Sequence, residues 1–152
     1  MQAAESVLPD GSFQIVWKEG YFQFKRIASG VVFCRKVGDF HEDVFKSLIA
    51  PFNSEFAKAK KLAVVCDGSE MQAYTGAYRQ LWTEWFKAHS GHVKVYIFTR
   101  SKLVRMAVTV VNMFVDVFEL CNTEAKLHAV LSQLAASFQP AMLPPRIPQN
   151  ER

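Results

Sequence analysis

Apolar and polar positions change their period along the chain, and each period predicts an element. Phe13 to Lys18, Tyr21 to Ile27 and Gly30 to Val37 are short β-rich runs separated by Lys18-Glu19-Gly20 and Ala28-Ser29-Gly30. Each separator holds a glycine that permits a tight turn, which predicts a three-stranded antiparallel meander. Between His41 and Lys60 the repeat becomes helical, with Val44, Leu48, Phe52 and Phe56 at four-residue spacing. Pro51 lies inside that repeat and is expected to kink or split the helix. Leu62 to Cys66 predicts a strand, and Thr75 to His89 a helix with Tyr78, Leu81, Trp82, Trp85 and Phe86 as its apolar stripe. Val93 to Thr99 predicts a further strand, after which Ser101 caps a helix running to about Val115. Val117 to Cys121 is a short strand, and Asn122 or Thr123 caps a last helix with Leu127, Val130, Leu131, Leu134 and Phe138 on one side. Beyond Gln139, four prolines (Pro140, Pro144, Pro145 and Pro148) predict an irregular, flexible tail.

This order makes the chain α/β. A meander followed by alternating strands and helices gives a mixed sheet, antiparallel at its start and parallel after it, covered by about four helices. A length of 152 residues, half of them apolar, fits one domain, expected over residues 1–138 with the tail at 139–152.

Charge and cysteine content narrow the function classes. The net charge of +4 is spread along the chain and forms no clustered basic face, so no nucleic-acid partner is expected. Cys34, Cys66 and Cys121 sit in separate apolar segments without CxxC spacing, which argues against a disulfide framework and a zinc site and for buried free thiols in a reducing cytoplasm. The sequence MQAAESVLPDGS lacks a basic segment followed by an apolar one, and no apolar run reaches the length of a membrane span.

Candidate chemistry begins in VVCDGSEMQAYTGAY, where Asp67, Gly68 and Ser69 follow a buried strand and predict a turn. A carboxylate and a hydroxyl at the carboxyl end of such a strand lie where open α/β sheets bind ligands, with Tyr74 close by. A nucleophilic Ser69 requires a histidine beside it, and His41, His89, His92 and His128 stand in no recognisable motif. There is no GxGxxG or GxxxxGK[ST] either. No catalytic residue, metal or cofactor is expected.

The stretch TRSKLVRMAVTVVNMFVDVF, Thr99 to Phe118, carries more information. Arg105, Thr109, Asn112 and Asp116 form one polar stripe, and the remaining surface is apolar over much more than the width a surface helix buries. Leu103, Ala107, Val110 and Phe114 are expected to face the sheet. Val104, Val108, Val111 and Val115 form a second row, with Met106 and Met113 on the flank, expected to meet a neighbouring helix, a protein partner, a second copy of the chain or a lipid. Four β-branched residues suit an exposed helix face poorly. Arg100, Lys102 and Arg105 crowd the helix start, where positive charge opposes the macrodipole, and suit a lipid headgroup, a phosphorylated partner or an acidic patch.

The meander, the helix, the LAVVCDGSEM strand, Thr75-Gly76 and the two later strand-helix units resemble a STAS domain from Phe13 to Phe138. This family comprises bacterial anti-sigma-factor antagonists and their relatives, including a SpoIIAA-like group compared with lipid-binding SEC14 domains. The resemblance implies a regulatory interaction module in a bacterial cytoplasm, with the strand before Asp67 central in its sheet. Phosphorylated STAS antagonists carry an Asp, two hydroxyl residues and a Gly. Anchoring on Gly76 sets Thr75 at the second hydroxyl, Tyr74 at the phosphoacceptor and Ala73 at the Asp, so two of the three key side chains differ. Thr75 remains a candidate for modification, beside its plainer role as a helix cap.

Taken together, these readings describe a non-enzymatic module docking a protein partner or a second copy through its third helix. An apolar-ligand carrier of SEC14 type is the first alternative, which a long enclosed cavity would favour. A small hydrolase using Asp67 and Ser69 is the second.

Overall fold

Seven strands form one sheet whose spatial order follows the chain. The computed structural model describes residues 2–152; Met1, part of the expected 1–138 unit, lies outside the described residues. β1 (Ala3–Val7), β2 (Phe13–Trp17), β3 (Gly20–Ala28) and β4 (Val31–Phe40) pair antiparallel. β5 (Leu62–Tyr74), β6 (Val93–Thr99) and β7 (Phe118–Cys121) continue in parallel from β4. The meander therefore has four strands where the sequence predicts three. β1 has no sequence signal, because Ala3-Ala4-Glu5-Ser6-Val7 is exposed throughout and has no buried face to impose alternation.

The helices are α1 (Glu42–Ala59), α2 (Gly76–Ala88), α3 (Lys102–Asn112) and α4 (Glu124–Leu134). Each of the first three links neighbouring parallel strands that advance in the same direction, and a constant crossover hand places all three on one sheet face. Their buried residues share a core with Phe22, Val32, Cys34, Val64 and Cys66. α4 crosses to the opposite face, where Leu127, Val130, Leu131 and Phe138 pack on Phe33, Val65 and Phe98. Alternation along β4 and β5 separates the two cores residue by residue.

Most predicted helix signals hold. Val44, Leu48 and Phe52 are buried, and α1 runs through Pro51 without a break, ending where Lys60 turns left-handed at φ 63°. Ser101 and Thr123 cap α3 and α4, accepting from the amides of Val104 and Lys126. The three cysteines are free and buried, as the sequence predicts.

The Asp67 to Ser69 turn is a correction. β5 continues to Tyr74, and Gly68 and Ser69 together oppose the single residue Lys36 of β4, between the pairs Arg35↔Asp67 and Val37↔Glu70. The Asp-Gly-Ser signal therefore marks a β-bulge, which bends a strand without ending it.

The proline-rich tail is expected to be irregular and flexible. It is irregular, yet it lies along the α4 side of the sheet and extends the cover that α4 provides. Gln23 donates to the Pro145 carbonyl at 2.7 Å, Lys25 to that of Met142 at 2.6 Å and Arg35 to that of Pro144 at 2.6 Å. Prolines lack a backbone donor but keep a free carbonyl, so such a segment suits a row of side-chain donors.

One glycine constrains the meander tightly. Gly38 has φ +88°, and a Cβ there would overlap the Glu19 carbonyl oxygen. Gly38→Ala is expected to cost at least about 1–3 kcal/mol, because strain in φ and a backbone clash act together. A lowered denaturation midpoint with an unchanged m-value would show this.

Candidate functional site

Each face of the central strands carries a cation, and the two are handled differently. On the α4 side, Arg35 and Asp67 are both buried and paired at 3.2 Å. The second donor to the same Asp67 oxygen is Arg146 of the tail, at 2.6 Å, which also reaches Glu70 at 2.9 Å. The other Asp67 oxygen accepts from the Ser69 hydroxyl at 2.6 Å and the Ser69 amide at 3.1 Å. Burial alone would raise the Asp67 pKa; the two Ser69 bonds, Arg146 and Arg35 outweigh it and hold the carboxyl below its ordinary range. Arg35 pays part of this cost, since burial and the neighbouring Arg146 both work against its charge.

This arrangement gives Ser69 no activating base. Its hydroxyl donates to a carboxylate already engaged by two guanidiniums, and no histidine bonds to it among the described residues. His41 lies by Glu19 and Asp43, His89 stacks on Trp85 at 4.2 Å, His92 lies near Phe56 and His128 near Glu124. The histidine that hydrolysis requires is not brought to the serine.

Thr75 caps α2, accepting from the Tyr78 amide at 3.1 Å and donating to Glu42 at 2.6 Å. It is exposed. Tyr74 is partly buried, and its hydroxyl donates to the Leu103 carbonyl at 3.3 Å, joining the end of β5 to α3. The basic residues at the start of α3 are partly accounted for within the chain. Arg100 lies over the Phe98 ring at 5.5 Å, Arg105 donates to the Thr99 carbonyl at 3.4 Å, and Lys102 is exposed.

The orientation of α3 reverses the expectation. Val104, Val108, Val111 and Val115 are buried against the sheet. The outer face instead carries Leu103, Met106 and Val110, continued in the turn after the helix by Met113 and Phe114, 77% and 66% exposed. Of the six residues expected to meet a partner, only Met106 and Met113 are on that face. The β-branched row packs inward because stiff side chains fill a sheet-facing surface at little entropic cost.

Behind α3 is a cleft that the sequence reading missed. It has a volume of about 80 Å³ and lies between α2 and α3, floored by β4, β5 and β6. Its walls are mainly apolar, with polar groups contributed by Lys36, Tyr74, Tyr78, Arg79, Trp82 and Trp85. Lys36 is partly buried, with its ammonium 4.4 Å from the Trp82 ring centre and 5.5 Å from that of Tyr78, and it has no ion-pair partner among the described residues. The Tyr78 hydroxyl and the Trp82 indole nitrogen are both buried without a hydrogen bond. Alternation along β4 gives the one signal that could have revealed this site, because Lys36 shares a face with the core residues Val32 and Cys34.

No family model and no curated protein sequence matches the chain. Among solved structures, it is similar to an uncharacterized protein of the DUF3478 family from Shewanella loihica PV-4, described as having a SpoIIAA-like fold. The TM-score is 0.57 at 16% identity, over 72% of this chain and 91% of that one. This chain has a SpoIIAA-like fold. The STAS resemblance is thus borne out in architecture. β5 lies inside the sheet between β4 and β6, as the resemblance requires. No helix among the described residues is long and apolar enough to cross a membrane.

Proposed function

We propose that the chain is a non-enzymatic regulatory module that docks a second copy of itself through the outer face of α3. The observation that carries this reading is the row Leu103, Met106, Val110, Met113 and Phe114, large apolar side chains left in water along α3 and the turn that follows it. Exposed apolar surface gathered in this way marks contact sites, whereas singly scattered residues do not.

Charge favours a second copy as the occupant. Arg100, Lys102 and Arg105 lie at one end of the helix, and Asp116 and Glu119 follow its other end. Lys87, over the Phe114 ring at 5.5 Å, offsets only part of that negative charge. A two-fold axis through the helix centre would run two α3 helices antiparallel, bringing each basic start to the partner's acidic end. The helix dipoles would then also oppose each other.

Sedimentation equilibrium of the full chain tests this. A dimer is expected, and Met106→Glu combined with Phe114→Glu should weaken it by at least about tenfold, roughly 1.4 kcal/mol. The variant should keep its circular dichroism spectrum, because both side chains are exposed. A wild-type monomer at about 100 μM, where even a 1 μM dimer would be saturated, overturns the proposal. So does a dimer that the two charges leave intact.

A further inference from the structure

We infer that the cleft between α2 and α3 binds a small carboxylic acid with a short apolar chain, its carboxylate held by Lys36, Tyr78 and Trp82. The cleft holds donors that lack acceptors. An ammonium and an indole N–H can only donate, and a phenol donates readily. These groups are neighbours in the wall of a mainly apolar cleft, where two of them are buried without a partner and the third carries charge without a carboxylate. Buried donors left unpaired cost stability, and a structure that keeps three together has a place for an acceptor.

The acceptor's chemistry follows from this count. A water molecule can accept from Tyr78 or Trp82, but it brings no charge to set against the ammonium. One ammonium balances one negative charge, which suits a carboxylate better than a phosphate dianion. Burial works against the charge on Lys36, but the oxygen of Tyr78 and the sulfurs of Cys66 and Cys34 outweigh it, so its pKa lies above the ordinary lysine value. The amine is therefore charged at neutral pH.

The rest of the ligand follows from the walls. Val64, Ile97, Val104, Val108 and Val111 offer only apolar contact, and a volume of about 80 Å³ accommodates a few carbons, not a long acyl chain. Arg79 is exposed at the rim and adds positive charge where an anion would enter. This site stands apart from self-docking, which uses the opposite face of α3.

Nitrogen-15 NMR of the full chain, titrated with hexanoate and separately with hexanamide, tests the inference. The readout is the Trp82 indole N–H cross peak, assigned with Trp82→Phe. Hexanoate should move this peak saturably, and hexanamide should bind at least about tenfold more weakly. Lys36→Met should weaken hexanoate by a similar factor without lowering the melting temperature. Tyr78→Phe provides a second variant should Lys36→Met fail to fold, and it should also weaken hexanoate. An unmoved cross peak, equal binding of acid and amide, or full hexanoate affinity in both variants would each overturn the assignment.

Discussion

Asp67→Ala is expected to destabilise the protein by about 3–5 kcal/mol, the cost of removing one partner from a buried charge cluster. The substitution strands Arg35, which keeps only Gln23 at 2.7 Å and the Pro144 carbonyl at 2.6 Å. Arg146 is half-exposed and can turn to water or Glu70, so most of the loss should come from Arg35. Replacing both partners, as in Arg35→Met with Asp67→Leu, should recover much of the stability, since two apolar side chains need no counter-charge. Chemical denaturation of the three proteins at neutral pH checks this order. A small effect of Asp67→Ala would mean that the pair is hydrated.

The same cluster sets a pH dependence. Asp67 has a folded pKa below the ordinary aspartate value of 3.8. Its contribution is therefore fully present above that unfolded value and is lost as pH falls through the folded one. Wild-type stability should decline with acid below about pH 4 more steeply than that of the Arg35→Met, Asp67→Leu protein. Equal slopes in the two proteins would show that other carboxylates govern acid unfolding.

Phe52→Ala should cost a comparable amount, about 3–5 kcal/mol. Phe52 is fully buried on α1 and meets Phe22 and Phe24 of β3 at 6.0 and 5.0 Å between ring centres, and Trp82 and Trp85 of α2 at 5.4 and 6.3 Å. It joins the sheet to two helices, and the surrounding rings cannot collapse into the space it leaves. Thermal and denaturant unfolding measure the loss. The variant should also enlarge the cleft that Phe52 helps to line.

Much of the fold was legible because period and punctuation agree in most segments. Turn glycines, capping hydroxyls and four-residue apolar spacing identify the elements from β2 to α4. The failures share a physical cause. At Asp67-Gly68-Ser69 the composition of a turn and of a bulge is the same, and only pairing with β4 decides between them. On α3 the helical wheel offers two apolar rows of similar strength. Which row turns inward depends on the crossover from β6 to β7, although the poor fit of four valines to water already favoured their burial. The docking of the tail has no local sequence signal, because backbone carbonyls and the side chain of Arg146 hold it to strands distant in sequence. Lys36 and Arg35 are adjacent cations in a strand buried on both faces, so they must point to different faces of the sheet.

The docked tail also bears on how the chain acquires its structure. Residues 144–146 hold groups on β3, β4 and β5 from more than a hundred positions away in sequence for Gln23 and Arg35. Contacts so distant form late, since long loops must close before they are rewarded. During synthesis, at roughly 5–20 residues per second, β4 and β5 can pair well before Arg146 emerges. For that interval Asp67 and Arg35 depend on each other and on water. A nascent chain is therefore most exposed to misfolding or capture by chaperones on the α4 side, and anything fused close behind Ile147 would bear on the closing step.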